Sequence, residues 1–267
     1  SHEIQNVEFV EADEWAKLID QDALNNFRER ALNPHTHPVT RGGAENDDIY
    51  FQAREAQNVH FANVVKVAEE YFEKVSKITG REYAPFTYYG HPNATKVIIA
   101  MGSVTETCKE VVDALVKQGK RVGLVKVHLY RPFSAKHLLK VIPASVKKIC
   151  VLDRTKEIGA TGEPLYLDVV KTIKEVDAKV SVYGGRYGLS SKNTTPAMIK
   201  GIYDFLDTRD VHNNFTVGIN DDLTKLYAGV SYRHLLVLSD KVLLLCRCCP
   251  PQYHTHSLTP LRLIYLM

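Results

Sequence analysis

Arg131, Arg154, Lys156 and Arg186 each stand at or just beyond the end of an apolar run, in VGLVKVHLYRPF, VLDRTKEIGATGEPLYLDV and VYGGRYG. A guanidinium in such a place can clamp a carboxylate or phosphate through two parallel hydrogen bonds. In parallel α/β sheets, ligands and partner domains meet the loops at the carboxyl ends of strands. The spacing therefore predicts one shared rim. Ser103, in MGSVTET, joins it: Gly102 permits a tight turn, and the first amides of the helix that follows can cradle an anion.

Each of these residues also has a plainer role. Ser103 or Thr105 can simply cap the helix, with Glu106 three residues after Ser103 as in a capping box. The three spaced glycines of a dinucleotide fingerprint are absent there. Arg131 precedes Pro132, which biases it to an extended conformation, and it suits an ion pair with Asp153 or Glu157 as well as a ligand clamp. Between Asp153 and Val169 the charges are mixed and lead through Gly159 and Gly162 to a helix that Pro164 can start. This reads first as an interdomain charge network and second as direct ligand contact. In GGRYGLSSKNTTP the glycines allow positive φ, so Arg186 and Tyr187 project from a rigid turn or pack one domain on another. No nucleophile stands with a base, and no catalytic residue is assigned.

Eleven histidines raise the question of a metal. His35 and His37 lie in a proline-flanked loop, His91 precedes Pro92, and neither H-E-x-x-H nor a paired C-x-x-C occurs, so no metal site is assigned. Cys246, Cys248, Cys249, His254 and His256 are dense enough for zinc, but their spacing matches no standard site.

The elements that must hold these residues are regular from Lys96 to Leu206. KVIIAMGS, RVGLVKVHLY, KKICVLDRT and KVSVYGG read as buried strands. They alternate with helices over TETCKEVVDALVKQGK, SAKHLLKVIP, PLYLDVVKTIKEV and TPAMIKGIYDFL. The pattern predicts βαβ units in an α/β fold: an open, mostly parallel sheet with helices on both faces, from about Pro92 to Asp221. Before it, Trp15, Leu18, Ile19, Leu24 and Phe27 recur at helical spacing, and LNPHTHPVTRGGAEND reads as a long polar crossing loop. Val59 to Ile78 returns to helical period with Phe61, Val64, Val65, Ala68, Phe72 and Val75 on one side, and Gly80 ends it.

Composition narrows the function classes. The chain has 267 residues, 45% of them hydrophobic, enough for a substantial core. With 34 Lys plus Arg against 31 Asp plus Glu, the net charge of +3 is too balanced for a dedicated nucleic-acid binder. Five cysteines, an odd number, suit a reduced compartment, cytoplasm or an anaerobic organelle. SHEIQNVEF does not read as a signal peptide. From Tyr227 the chain changes character, with leucine clusters and a CRCC run; Leu235 to Leu245 is shorter than the ~20 apolar residues of a membrane span and contains Asp240 and Lys241. No membrane partner is expected.

The segments ALNPHTHPVTRGGAENDDIYFQARE, REYAPFTYYGHPNATKVIIAMGSVTET, GLVKVHLYRPFSA, VLDRTKEIGATGEPLYLDV, GGRYGLSSK and NNFTVGINDD, in that order, resemble pyruvate:ferredoxin (flavodoxin) oxidoreductase. The resemblance runs from Ser1 to about Leu226. It implies that 1–90 is the end of the pyrimidine-binding domain with a crossing linker, and that 91–226 is a domain similar to the transketolase C-terminal domain. The 227–267 tail departs from the family, as intron read-through, a shifted frame or a disordered extension would. The family decarboxylates pyruvate on thiamine diphosphate with Mg, passes electrons through iron–sulfur clusters to ferredoxin or flavodoxin, and makes acetyl-CoA from coenzyme A. The resemblance therefore implies a large, homodimeric parent in which this part is scaffold and interdomain rim, inactive and without a bound cofactor by itself. Two rivals remain: a domain of a sulfite-reductase or NADP-linked fusion reductase, and a free-standing anion- or coenzyme-binding module using Ser103, Arg131, Lys156 and Arg186.

Overall fold

The computed structural model describes residues 9–39, 43–176 and 179–219, together with 221, 223, 226 and 228. The readings made of the tail after Leu226, zinc included, fall almost wholly outside the described residues. The chain divides into two compact units, one of Asn6–Thr87 with His128–Ser134 and the other of Ser1–Gln5, Tyr88–Val127 and Ala135–Met267.

The second unit carries the alternating pattern. Strand β1 (Phe86–Gly90), whose first two residues belong to the other unit, is followed by β2 (Lys96–Met101), α4 (Val104–Lys117), β3 (Val122–Val127), α5 (Ala135–Val141) and β4 (Lys148–Asp153). Then come α6 (Pro164–Val176), β5 (Ser181–Arg186), a short 3-10 turn (Leu189–Ser191), α7 (Pro196–Phe205) and β6 (Phe215–Thr216). The sheet order is β1-β3-β2-β4-β5-β6. Pairing is parallel from β3 through β2, β4 and β5 to β6, with Lys96 opposite both Val122 and Lys148, and Lys148 opposite Ser181.

Val97 to Ala100 and Ile149 to Leu152 are continuous buried runs because helices cover both faces. On one face α4 brings Val104, Cys108, Val111, Val112 and Leu115, at helical spacing, against Met198, Ile199, Ile202 and Tyr203 of α7. On the other, α6 buries Leu165, Tyr166, Val169 and Ile173 and packs on β4 and β5. Two strands extend the sheet beyond the expected Pro92 start and between its expected ends: β1, an aromatic and glycine run without aliphatic residues, and β6, only two residues long. Gly123 is a required glycine in the core. A Cβ there would overlap the Tyr88 ring, and its carbonyl accepts from the Tyr203 hydroxyl at 2.8 Å.

The first unit is helical. The helical spacing from Trp15 to Phe27 resolves into two helices, α1 (Ala12–Ala16) and α2 (Gln21–Glu29), parted where Asp20 caps α2 by accepting from the Ala23 amide at 2.9 Å. The helix expected over Val59 to Ile78 starts at Tyr50 and runs to Thr79 as α3. Gly80, at φ +66°, closes it by donating its N–H to Ser76 O. Beyond Gly80, the chain folds back on the helix end: the Tyr83 amide donates to Ser76 Oγ, and the Tyr83 and Phe72 rings stand edge-on to His128. Towards its amino end α3 holds less. Phe51 is 71% exposed and Phe61 54%, and none of α1, α2 or α3 contains a buried residue.

Candidate functional site at the carboxyl ends of the strands

Because β2, β4 and β5 are parallel, Ser103, Arg154, Lys156 and Arg186 all follow or end strands at one edge of the sheet. Arg131 belongs to the other unit. There its guanidinium stacks 3.9 Å over the Tyr130 ring and donates to the Tyr130 hydroxyl at 3.0 Å and carbonyl at 3.2 Å.

The loop from Asp153 to Pro164 is tied down by its own carboxylates. Asp153 ends β4 and accepts the Leu165 and Tyr166 amides, both at 3.1 Å, so a strand residue caps the first turn of α6. Burial pushes its carboxyl above the ordinary value of 3.8, against the two amides that favour the charged form. Glu163, buried just before Pro164, accepts the Glu157 amide at 2.7 Å on one oxygen and Arg186 Nη1 at 3.2 Å on the other. Arg186 is itself only 7% exposed, and its Nη2 donates to Asn214 O at 2.6 Å. Asn213 accepts the Gly184 amide at 2.7 Å and donates to the Tyr166 hydroxyl at 2.6 Å. β4, α6, β5 and the entry to β6 are thus joined through one buried polar network.

The candidate residues differ in what remains open. Arg186 turns inward and spends its fork on Glu163 and Asn214. Arg154 is exposed, yet Nε donates to Gly188 O at 2.8 Å and Nη2 to Ser191 Oγ at 3.3 Å. It steadies a turn in which Ser190 and Ser191 both take positive φ, 50° and 60°. Lys156 is exposed and has no hydrogen bond or ion pair among the described residues. Ser103 is exposed, but its helical φ −62°, ψ −26° keeps the hydroxyl from capping α4. The capping box is not formed. Glu106 pairs instead with Lys126 at 2.6 Å, and Thr105 Oγ1 donates to Gly102 O. Sequence reasoning missed Glu163, Asn213 and Asn214; a glutamate directly before the helix-starting Pro164 was the available signal.

The edge can offer hydrogen-bond donors and positive charge to an anion. It shows no nucleophile activated by a base: Cys108 and Cys150 are buried in the apolar core, and burial pushes the Cys108 thiol up to about 12. Among the described residues no three His, Cys, Asp or Glu side chains are grouped to hold a metal ion, and no helix is long and apolar enough to cross a membrane.

Residues 94–198 match the family model for pyruvate:ferredoxin oxidoreductase core domain II, and residues 1–73 match the model described as pyruvate flavodoxin/ferredoxin oxidoreductase, thiamine diphosphate-binding. The pyruvate:ferredoxin oxidoreductase of Moorella thermoacetica is 51% identical over 224 residues, covering 84% of this chain. The chain belongs to the pyruvate:ferredoxin/flavodoxin oxidoreductase family. The pyruvate-flavodoxin oxidoreductase of Enterobacter agglomerans is also 51% identical over 224 residues, again 84% of this chain. A pyruvate dehydrogenase (NADP+) of Cryptosporidium parvum is 42% identical over 228 residues, 84% of this chain and 12% of that one. The chain spans about a fifth of the length of the first two relatives, 19% of each.

Thiamine diphosphate does not fit the described residues alone. The helices within the matched 1–73 segment bury no side chain, so they enclose no cradle for a diphosphate or its metal ion. The groups this chain does supply are the carboxyl-edge donors and the network that fixes them.

Proposed function

We propose that this chain is an internal part of a 2-oxoacid oxidoreductase that converts pyruvate and coenzyme A to acetyl-CoA and CO2 with reduction of ferredoxin or flavodoxin. The observation that carries this reading is the 51% identity sustained over 224 residues across both units. Thiamine diphosphate, Mg and iron–sulfur clusters would be held by the rest of the parent. The part described here would supply scaffold and an interdomain rim and be inactive alone. Segments 1–90 and 91–226 would serve as the linker-bearing end of one domain and as the next domain. Identity of 42% to the NADP+-linked relative, against 51% to the ferredoxin-linked one, supports this reading over the fusion-reductase one.

At the carboxyl edge, Asp153, Glu163 and Arg186 would hold the loops rigid, and Arg154 would fix the turn after β5. Ser103 and Lys156 would meet an anionic group or a neighbouring domain there, and Arg131, in the other unit, would meet one of its own. A homodimeric parent in the cytoplasm, or in an organelle of hydrogenosome type, fits the same reading.

A chimera tests it: residues 1–226 replace the matching segment of the Moorella enzyme, and pyruvate- and coenzyme A-dependent reduction of ferredoxin is followed. Activity in the chimera and none in the isolated chain is expected. Turnover by the isolated chain, or a chimera that folds and binds thiamine diphosphate but reduces no ferredoxin, would overturn it.

A further inference from the structure

The opposite, amino-terminal edge of the sheet carries a feature that the carboxyl-edge reading leaves unused. Lys117, at the end of α4, Lys120 and Arg121, just before β3, and Lys147, just before β4, are all exposed. Backbone bonds bring the loops side by side. Thr95 donates its N–H to Arg121 O at 2.9 Å and accepts the Lys147 N–H at 2.9 Å, while Arg121 Nε donates to Asn93 O at 2.8 Å. No Asp or Glu occurs in the three loops 91–95, 118–121 and 142–147.

Four other lysines of the unit are paired. Lys96 pairs with Asp207, Lys126 with Glu106, Lys171 with Glu175 and Lys200 with Asp204. Lys117, Lys120, Arg121 and Lys147 have no ion pair among the described residues. Four exposed cations on loops that hold no acid of their own, at an edge where Lys96 already neutralises Asp207, make a local positive field in a chain whose net charge is only +3.

We propose that this amino edge, formed by Lys117, Lys120, Arg121 and Lys147, is a docking surface for an acidic protein. An acidic polypeptide suits it better than nucleic acid because the three loops contain no Phe, Tyr or Trp on which bases could stack. Charge complementarity of this kind acts mainly on encounter rate and on partner choice, and it weakens as salt screens the exposed charges.

The test uses the full chain with poly-L-glutamate as the acidic probe and polyuridylate as the nucleic-acid probe, titrated at low and high salt. Poly-L-glutamate is expected to bind at low salt and to be released by salt. The Lys120→Glu/Lys147→Glu variant is expected to bind at least about tenfold more weakly. A control reversal at two other exposed lysines of the same unit, Lys136→Glu at the start of α5 and Lys171→Glu on α6, is expected to leave affinity within about twofold, as charges distant from a docking patch should. Should the first variant fold poorly, Lys120→Gln/Lys147→Gln gives the same comparison with no charge introduced. Equal loss in the control, no binding at low salt, or tighter binding of polyuridylate than of poly-L-glutamate would each overturn the proposal.

Discussion

The sheet-bearing unit and the helical unit come from one chain and solve the burial problem in opposite ways. In the first, β2 and β4 are covered on both faces, and α4, α6 and α7 each bury five or six residues. In the second, three helices bury none, and Trp15, Ile19, Phe27, Phe51, Val59 and Phe61 stand in solvent. A helix draws most of its stability from packing an apolar face rather than from propensity, so the sheet unit has what it needs to stand alone and the helical one lacks it. The chain spans 19% of the length of each of its first two relatives, and on the proposed reading the contrast would be that between a whole layered domain and a part of another.

The largest effect that would sharpen this contrast is at the buried pair. Arg186→Met leaves the buried Glu163 carboxyl without its guanidinium, and the full chain should lose about 3–5 kcal/mol in denaturant unfolding. A loss no greater than that of an exposed substitution would mean that the network does not hold the sheet edge together.

Gly185→Ala follows. The added methyl meets the Phe215 ring, with Cε2 at 2.5 Å and Cε1 at 2.9 Å. Overpacking of this sort costs about 1–3 kcal/mol, and the same unfolding curves would read it. An unchanged midpoint would show that β6 can move aside.

Asp153→Asn is expected to cost about 1–2 kcal/mol, because the amide keeps one acceptor for the first turn of α6 and turns its NH2 against another N–H. It also has a pH signature. The Asp153 carboxyl is raised above 3.8, so the folded state holds the proton more tightly than the unfolded chain. Its stabilising share is fully present below 3.8 and is lost as pH rises through the higher folded value. Wild type should therefore exceed the variant by most in acid, the gap narrowing as pH rises through that window. A gap that widens would reverse the sign.

The smallest effect lies in the helical unit. Phe61→Ser should change the stability of the isolated chain by less than about 0.5 kcal/mol, as exposed positions do. A loss above about 2 kcal/mol would show that Phe61 is packed in solution and would erase the contrast.

Most of the layered domain was legible in the sequence because a strand covered on both faces must be apolar through its middle, and VIIAM and ICVL are. FTYYG was not, since its aromatic and glycine residues resemble a loop until Gly123 is seen making room for Tyr88. The carboxyl edge was legible as a place but not as a set of directions. Arg186 looks the same in sequence whether it faces solvent or core, and what turns it inward lies far along the chain at Glu163 and Asn214. The Ser103 cap failed because capping needs an extended backbone before the helix, which the local sequence does not compel.

Hydrogen–deuterium exchange, on the isolated chain and on the chimera carrying it within the Moorella enzyme, tests the central claim most directly. The account predicts slow exchange for β2, β4 and α4 in both, and slow exchange for α2 and the first half of α3 only in the chimera. Strong protection of those helices in the isolated chain would contradict it.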